Sequence, residues 1–408
     1  MITEALDYLT PEFHADPYAV YARYRELAPV HLAAPSEPGR ARAWVVLRYD
    51  DALSVLKDAR ISRHGPGFDG PLDLMDISAG DPAELFYQLS RRSILFNDPP
   101  DHTRLRTLVG GVFTPKMVAR LGERIEAVTA ELLDAAQARG ALDVAHDYAL
   151  PLTLTIIAEM LGVPPEDKGL LDKWGKVLVR AVDFKRTTAI YEQAIGTSME
   201  IFAYFAALSE AKRAHPGDDL LSQLVHAHDD GQRLSDMELA ITATTLLMAG
   251  HDTTVNLIGN ATLLLLQHPD QLALLRERPA LTAAMVEEAL RYHSPAQNTS
   301  RYTTEAIALG SVTIPQGQLV NVALGSANHD PAAFAEPERF DITRAGPRHL
   351  AFGMGMHYCL GAPLARQEAS IAIPALFARF PHLRLLDPEP RWRDTIGFRG
   401  LARLDTAW

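Results

Sequence analysis

Cysteine is the scarcest residue of this sequence, because Cys359 is the only one among 408 residues. A single thiol excludes an internal disulfide and any zinc or iron–sulfur site that needs several cysteines. It leaves one thiolate with which the chain could hold a cofactor. The cysteine chemistry of this protein therefore depends on the residues around position 359.

Other absences narrow the class of protein further. No uninterrupted apolar stretch is long enough to span a membrane, and the start Met1-Ile2-Thr3-Glu4-Ala5 lacks the basic residues of a signal peptide. We therefore expect a cytoplasmic protein without a membrane segment. The net charge of −12 disfavours nucleic acid as a partner.

The composition is that of a globular chain that can bury a large core, with 47% hydrophobic and 22% charged residues. Apolar residues recur mostly at helical intervals, and short strand patterns are few and far apart. We predict a mainly α fold with small β-sheets, in one domain over residues 1–408. The predicted helices include residues 17–27, 117–139, 150–161, 166–182 and 187–213, and the predicted strands are 43–49, 306–309, 312–314, 319–324 and a stretch after Leu383.

A long helix is predicted to begin within residues 234–239, which combine a capping box with a hydrophobic staple. Its apolar pattern continues to about Leu266, before His268-Pro269 ends it. The segment Ala249-Gly250-His251-Asp252-Thr253-Thr254 interrupts this pattern with a glycine and polar residues. Core packing does not explain such a patch, which by itself fits a helix kink with solvent-facing side chains equally well.

The cysteine lies in the segment Phe352-Gly353-Met354-Gly355-Met356-His357-Tyr358-Cys359-Leu360-Gly361. A helix predicted to start near Ala362-Pro363 would put the thiol at its positive end, where free N–H groups favour a thiolate. By itself a lone cysteine is more often a small buried hydrophobe. This frame, however, resembles the haem-ligand signature of the cytochrome P450 family. The matching residues are Phe352, Gly353, Gly355, His357, Cys359 and Gly361.

The resemblance runs from about Pro17 to the end of the chain. It implies the fold of that family, a triangular helical prism with haem b between a long central helix and the cysteine loop. It also implies that Cys359 is the axial ligand of the haem iron and that Phe352 packs on the haem. The residues that the resemblance assigns to the haem propionates are His102, Arg106, Arg301 and His357.

Two further motifs of the family match this sequence. The polar patch of the long helix resembles its oxygen-activating motif, with Asp252 as the acid and Thr253 as the alcohol that relay protons. The Glu-x-x-Arg motif matches Glu288 and Arg291, and the resemblance adds Arg339 as the third member of a structural network. Without the resemblance, this last spacing would fit an exposed ion pair on a helix.

The resemblance implies a monooxygenase that inserts one oxygen atom of O2 into a C–H bond of a hydrophobic small molecule. We expect a polyketide, macrolide or fatty acyl substrate of secondary metabolism, free or bound to a carrier protein. Electrons would come from NAD(P)H through a ferredoxin reductase and a ferredoxin, and we expect a monomer. The positions that match substrate-contact regions are Thr245, Met248, Ala249, Gln297, Asn298 and Phe398.

Two alternative functions stay open at this point. One is a haem-thiolate protein with another role, such as a sensor, an isomerase or a peroxide-driven oxidase. The other is a metal-free enzyme with a cysteine nucleophile, for which His357 lies too near in sequence to Cys359 to be a persuasive base.

Two expectations concern charged residues near these motifs. Glu287 is expected to be solvated. A basic patch that could dock an acidic electron donor is predicted from Arg104, Lys116, Arg120 and Arg366.

Overall fold

The computed structural model describes residues 5–35, 42–65, 82–90, 92–183, 187–228 and 231–408. The chain divides into two compact units, each built from segments that are separate in sequence. Unit 1 comprises Met1–Ser62, Ile125–Leu152 and Thr253–Trp408, and unit 2 comprises Arg63–Arg124 and Thr153–Asp252. One domain over residues 1–408 stays a prediction.

Helices make up most of the described chain, and the expected mainly α architecture with small sheets is confirmed. A π-helical segment spans Val144–Ala149, and 3₁₀ turns span Pro165–Asp167, Pro279–Leu281 and Gly355–His357. The α-helices are α1 (Pro11–Ala15), α2 (Pro17–Leu27), α3 (Tyr49–Lys57), α4 (Pro82–Ser90), α5 (Asp101–Val112), α6 (Pro115–Arg120), α7 (Gly122–Gln137), α8 (Leu150–Met160), α9 (Lys168–Val182), α10 (Thr188–Ala214), α11 (Leu220–His226), α12 (Asp236–Gln267), α13 (Pro269–Glu277), α14 (Thr282–Tyr292), α15 (Leu324–Ala327) and α16 (Ala362–Arg379).

The strands are short and belong to unit 1. The larger sheet has five strands in the order β1-β2-β8-β5-β3, a second has the order β4-β10-β9, and β6 pairs with β7. Their bounds are β1 (Val30–Leu32), β2 (Trp44–Val46), β3 (Ile61–Ser62), β4 (Ala141–Asp143), β5 (Asn298–Thr303), β6 (Ile307–Leu309), β7 (Val312–Ile314), β8 (Leu319–Ala323), β9 (Arg384–Leu385) and β10 (Asp405–Ala407).

Helical periodicity predicted the long helices well. Helices α2, α8, α9 and α10 begin and end within two residues of the predicted bounds. The predicted helix over residues 117–139 is instead two helices, because Leu121 ends α6 and Gly122 begins α7. Helix α12 follows the predicted capping box, in which Ser235 N donates to Glu238 Oε2 at 2.8 Å and Glu238 N donates to Ser235 Oγ at 3.3 Å.

The sheet topology joins early and late parts of the sequence, as the spacing of the strands suggested. Strand β2 pairs in parallel with β8, and β4 pairs antiparallel with β10. The predicted strands nevertheless enter three separate sheets. Strand β5, which pairs with β8, was not predicted, because its sequence is largely polar and lacks an alternating apolar pattern.

A buried apolar cluster of unit 1 joins the five-stranded sheet to α3. Val46, Val320 and Val322 come from the strands, and Val55 and Leu56 come from the helix. This packing determines where α3 ends, next to the cysteine loop. No helix of the described ranges is long and apolar enough to cross a membrane.

In unit 2, helix α9 packs one face against α10. Trp174 of α9 is buried, its Nε1 donates to Glu200 Oε2 at 3.1 Å, and its ring meets Tyr204 edge to face. Gly175 follows Trp174 and is also buried. The α9 backbone can therefore approach a neighbouring side chain closely at this glycine.

Candidate active site

Cys359 lies immediately before the first turn of α16. Gly361 is the N-cap residue of this helix, and a Cβ built on it would lie 3.9 Å from the Cys359 sulfur. The thiol is partly exposed. Free N–H groups at the start of an 18-residue helix stabilise a nearby negative charge, so this position favours a thiolate, as the sequence predicted.

The loop that carries the cysteine is closed by backbone hydrogen bonds. Cys359 N donates to Phe352 O at 3.0 Å, and Tyr358 N donates to Gly355 O at 3.1 Å. Gly355 has φ +75°, and a Cβ on it would lie 2.4 Å from Leu56 O at the end of α3. Only glycine fits there, which anchors the loop on the sheet-bound part of unit 1.

This loop fits the haem that the resemblance implies. It offers one accessible thiol as a soft ligand, and it has no side chain at Gly353 or Gly355 to obstruct a flat group. One face of the partly buried Phe352 ring is covered by the Arg366 guanidinium, 4.6 Å from the ring centroid. The aromatic ring is thereby held in one orientation beside the cysteine.

Glu287 is only partly solvated, with its side chain 40% exposed, and it has two partners that the expectation from sequence did not include. Arg366 donates to its carboxylate through Nε at 2.6 Å and Nη2 at 2.9 Å, and His349 Nε2 lies 3.2 Å from Oε2. Burial alone would raise the pKa of Glu287, but the hydrogen bonds from Arg366 and His349 lower it to about 2. Sequence reasoning missed this contact because Arg366 is 79 residues away along the chain.

These contacts also reduce the net positive charge of the predicted basic patch. Arg366 is used by Glu287 and Tyr358, and Arg104 of α5 is paired with Glu238 and Asp101. Each of these arginines therefore has an acidic partner that offsets its charge.

The Glu-x-x-Arg pair is buried in unit 1, as the resemblance implied, but its third member is Arg344. Arg291 donates to Glu288 through Nε and Nη2, both at 2.8 Å, and Arg344 Nε lies 3.1 Å from both carboxylate oxygens. Glu288, Arg291 and Arg344 are called the arginine cluster below.

The predicted role of the Arg339 side chain is wrong. That side chain is 60% exposed and lies near Glu336 and Asp341, whereas its backbone carbonyl accepts a hydrogen bond from Arg291. The sequence identified the correct loop. It could not show that the loop turns its carbonyl toward the cluster and its side chain toward solvent.

The polar patch on α12 does not face solvent. Asp252 is 5% exposed and Thr254 is 4% exposed, while Thr253 is partly exposed. A Cβ on Gly250 would lie 3.2 Å from Ile157 Cδ1, so this glycine permits close packing against α8 within unit 2. Side chains that face solvent are therefore the wrong interpretation of His251, Asp252 and Thr254.

The partners of two buried groups, one within this patch and one beside it, were not predicted from the sequence. His251 lies 3.0 Å from Asp252 through Nδ1 and has an acidic partner on α9. In unit 1, Glu368 of α16 is fully buried, and burial raises its pKa to about 8 although a hydrogen bond with Thr254 opposes the shift. Neither contact follows from sequence spacing, because the partner residues lie on different helices.

The cations assigned to the haem propionates lie in both units. In unit 2, His102 and Arg106 are one turn apart on α5, and burial together with the charge of Arg106 lowers the pKa of His102. In unit 1, Arg301 on β5 is 5% exposed and donates from Nη1 to Thr299 Oγ1 and Ser300 O at 2.8 Å. His357 is partly exposed in the 3₁₀ turn before the cysteine.

The substrate candidates on α12 differ in accessibility. Ala249 is exposed, Met248 is partly exposed, and Thr245 is 9% exposed with its hydroxyl donating to Ile241 O at 2.7 Å. Met248 and Ala249 can therefore present apolar surface to a ligand, whereas the Thr245 hydroxyl already has a backbone partner.

The substrate candidates of unit 1 are more constrained. Gln297 is 2% exposed, and its Nε2 donates to Tyr18 Oη at 3.1 Å and Ser294 O at 2.8 Å, so both of its amide protons already have partners. Its contact with substrate stays a prediction. Asn298 exchanges a hydrogen bond with Tyr21. Phe398 is partly buried and lines a small pocket with Trp392 and other residues.

Comparison with known proteins identifies the family of this chain. A family model described as cytochrome P450 matches residues 75–396. The chain is 39% identical over 404 residues to a biotin biosynthesis cytochrome P450 of Bacillus subtilis, covering 99% of each protein. It is 40% identical over 411 residues to 6-deoxyerythronolide B hydroxylase of Saccharopolyspora erythraea, covering 99% of this chain and 98% of that protein.

A solved structure gives the same result for the fold. The crystal structure of P450BioI in complex with hexadec-9Z-enoic acid ligated acyl carrier protein matches with a TM-score of 0.90 and 38% identity, covering 98% of this chain and 100% of that chain. The expected fold class is thereby confirmed.

The matched proteins include named hydroxylases and monooxygenases, which favours oxygen insertion over the sensor or isomerase alternative. The cofactor is haem b, the co-substrate is O2, and electrons come from NAD(P)H through redox partners. Since the family model matches most of the chain and relatives of similar length match nearly all of it, this protein is a haem monooxygenase that belongs to the cytochrome P450 family.

Proposed function

We propose that this P450 oxygenates a C–H bond of a lipid-like or polyketide substrate in secondary metabolism, either a fatty acyl chain or a macrolide. The observation that carries the substrate class is the group of similar proteins. It includes a polyketide biosynthesis P450 of Bacillus subtilis, 37% identical, and a solved P450 in complex with myristic acid, 38% identical.

The cysteine loop and four cations would hold the haem. Cys359 is the proposed axial ligand, and Phe352 is proposed to pack on the macrocycle. The helix-end position of the thiol and the closed glycine loop support both roles. When bound, the haem supplies the site at which O2 is reduced and its O–O bond is broken. The proposed partners of its propionates are His102, Arg106, Arg301 and His357.

Asp252 and Thr253 are proposed to deliver the protons that oxygen cleavage consumes. A buried carboxylate beside a hydroxyl, within an otherwise apolar helix, can accept and release protons where bulk water has little access. The arginine cluster is proposed to hold the loop between β8 and the cysteine segment in place.

The proposed substrate contacts are Met248 and Ala249 of α12, with Thr245, Asn298 and Phe398 as further wall residues. The apolar and partly exposed surface of Met248 and Ala249 supports this assignment. The acyl carrier protein complex of a similar P450 makes a carrier-bound acyl chain a substrate form to be tested alongside the free acid.

We propose a ferredoxin and a ferredoxin reductase as the redox partners, and a cytoplasmic monomer as the working form. The supply of electrons to bacterial members of this family by redox partners supports this assignment. Mixing the purified protein with each donor and following NAD(P)H oxidation in the presence of substrate tests this assignment.

The haem ligand is tested by the spectrum of the reduced protein with carbon monoxide. We expect the parent protein to show the strongly red-shifted band of thiolate ligation and Cys359→Ser to lose that band while remaining folded by circular dichroism. An unchanged band in Cys359→Ser would contradict the assignment.

The substrate class is tested by titrating the ferric protein with a macrolide, a free long-chain fatty acid and the same acid on an acyl carrier protein. We expect at least one to displace water from the iron and produce a high-spin shift, followed by formation of a hydroxylated product. A terpenoid or aromatic compound that binds more tightly than all three would overturn the proposed class.

A further inference from the structure

A histidine that no motif singled out lies between two carboxylates in unit 2. His251 of α12 is 1% exposed. Its Nδ1 lies 3.0 Å from Asp252 Oδ1, and its Nε2 lies 3.2 Å from Asp172 Oδ1 on α9. On its other oxygen, Asp172 accepts a hydrogen bond from Lys176 Nζ at 2.6 Å. Asp172, His251 and Asp252 are called the histidine clamp below.

The α9 backbone is shaped to receive this imidazole. A Cβ on Gly175 would lie 2.7 Å from His251 Cγ and Cδ2 and 3.1 Å from Nδ1. No side chain other than hydrogen fits between the helix and the ring. Gly169 of the same helix has nothing within 4 Å of its Cβ position, so close packing is a property of position 175 and not of every glycine of α9.

The hydrogen-bond geometry requires a protonated ring. Each ring nitrogen faces a carboxylate oxygen, and an ionised carboxylate can only accept, so both nitrogens must donate. Two negative and two positive groups, with Lys176 included, then form a row without net charge. Such pairing is what permits charges to be buried.

The pKa values agree with this geometry. Burial would lower the pKa of His251, but its hydrogen bonds to Asp172 and Asp252 outweigh burial and raise it above the usual value. The hydrogen bond from His251, with that from Lys176, lowers the pKa of Asp172 to about 2.

The clamp reaches from the interior to the surface of unit 2. Side-chain exposure rises from 1% at His251 to 28% at Asp172 and 57% at Lys176. At its inner end lies Asp252, the residue before Thr253. The orientation of the Asp252 carboxylate therefore depends on a residue of α9 that is itself in contact with water.

We propose that His251 is a positioning residue: as an imidazolium held by Asp172, it fixes the carboxylate of Asp252 for proton delivery next to Thr253. This inference rests on the proposed role of Asp252. Removing the Asp172 charge weakens the hold on the ring, so that the ring fixes the Asp252 carboxylate less firmly. Oxygen is then still reduced, but more of it leaves as hydrogen peroxide instead of entering the substrate.

The clamp gives this enzyme a specific pH dependence. The charged groups that act on the ring are Asp252 from its own helix and Asp172 from α9, with Lys176 behind Asp172. Above its pKa the imidazole retains one donor and loses one of the two contacts. The fraction of electrons that reaches product should therefore fall as pH rises through the pKa of His251, and Asp172→Asn should move this fall to lower pH.

The clamp itself is tested without turnover, by NMR titration of histidine side chains in the haem-loaded protein. The His251 signals are assigned by their loss in His251→Gln. We expect the pKa of His251 to lie above 6.5 and to drop in Asp172→Asn. Glu192→Gln, which removes an exposed carboxylate of the neighbouring helix α10, should leave it unchanged. A His251 pKa that lies at or below 6.5 and does not change in Asp172→Asn would contradict the proposed clamp.

The consequence for proton delivery is tested by the ratio of product formed to NAD(P)H consumed. We expect Asp172→Asn and His251→Gln to lower this ratio about three- to tenfold, less than the roughly 10²–10⁴-fold effect of losing a general acid or base, because Asp252 itself remains. The dissociation constant of the substrate-induced spin shift should stay within about twofold. Glu192→Gln should behave like the parent. Thermal unfolding with carbon monoxide spectra verifies that each variant is folded and holds haem.

The outcomes separate this inference from the proposed function. If Asp252→Asn leaves the ratio unchanged, the proposed role of Asp252 is wrong. If Asp252→Asn lowers the ratio but folded Asp172→Asn and His251→Gln do not, only the positioning role of His251 is wrong. If Asp172→Asn does not fold, Lys176→Gln replaces it, because this variant removes the hydrogen bond that Lys176 donates to Asp172. We then expect a smaller decrease in the ratio of product to NAD(P)H, and an unchanged ratio would contradict the inference.

Discussion

The arginine cluster and the histidine clamp are two buried ionic groups that differ in one chemical respect. The cations of the first are guanidinium groups, which stay charged at any physiological pH, whereas the cation of the second is an imidazolium, which can lose its proton near neutrality. The first joins helix α14 to a loop of unit 1, and the second contains the proposed oxygen-activating acid. The permanent charges of the arginine cluster suit a structural role. The titratable charge of His251 suits a group that acts in proton transfer.

The largest expected effect is on the arginine cluster. Arg291→Ala leaves the buried carboxylate of Glu288 without its bidentate partner, so we expect a loss of about 3–5 kcal/mol in the free energy of unfolding and poor haem retention. Urea unfolding measures the loss. Arg339→Ala is the matched control because its side chain is 60% exposed, and it should cost less than about 0.5 kcal/mol. Equal losses in the two variants would restore Arg339 to the network.

The next largest effect on stability is expected at Gly175, where the α9 backbone closely approaches the His251 ring. Gly175→Ala forces its methyl group against His251 and should cost about 1–3 kcal/mol. It should also lower coupling, because the ring must move away from Asp172. Gly169→Ala, with open space at the same helix, should be neutral or stabilising by up to about 1 kcal/mol. Differential scanning calorimetry of both variants decides whether position 175 is special.

The third effect is a pH dependence of the free energy of unfolding, which we expect from the histidine clamp and not from the arginine cluster. Because the pKa of His251 is raised in the folded protein, its contribution to stability is fully present below 6.5 and is lost as pH rises through the folded value. His251→Gln should flatten the stability curve in this window. Arg344→Gln should lower the curve by a similar amount at every pH between neutral and mildly alkaline. A flat curve for the parent protein would show that the clamp does not titrate.

The smallest effect concerns the pair behind the cysteine loop. The side chains of Glu287 and Arg366 are 40% and 28% exposed. Solvent screening therefore limits the contribution of this ion pair to the free energy of unfolding to about 1 kcal/mol. Since the pKa of Glu287 is lowered to about 2, its contribution is present above the ordinary pKa of glutamate and is lost as pH falls toward 2. Glu287→Gln should remove this acid-dependent part of stability in urea titrations. A loss as large as that of Arg291→Ala would mean that the pair is better shielded than its exposure indicates.

Local signals in the chain predicted what is local in the fold. The capping box at Ser235 and Glu238 marked the start of α12, and the glycines around Cys359 marked a closed loop before α16. Both depend on residues a few positions apart. Strand β5 gave no such signal, because its polar residues are held by pairing with β8 and not by an apolar face of their own.

Contacts between distant segments were predicted less well. Arg344 and not Arg339 binds Glu288, although both lie on the same loop and carry the same charge. Which arginine turns inward depends on the backbone path of the loop. The same holds for Gln297, whose amide is used by Tyr18 in the interior.

The amino-acid sequence by itself determined the family, and it predicted the thiol proposed to ligate haem and the proposed acid and alcohol of α12, because each lies in a short run of residues with a characteristic spacing. Only the tertiary structure decided which partner each buried charge has. Asp172 and His251 are 79 positions apart in the chain, and a glycine on α9 lets them meet. Burial makes an unpaired charge costly, so partners are selected by the packing of helices and loops, which no local pattern records.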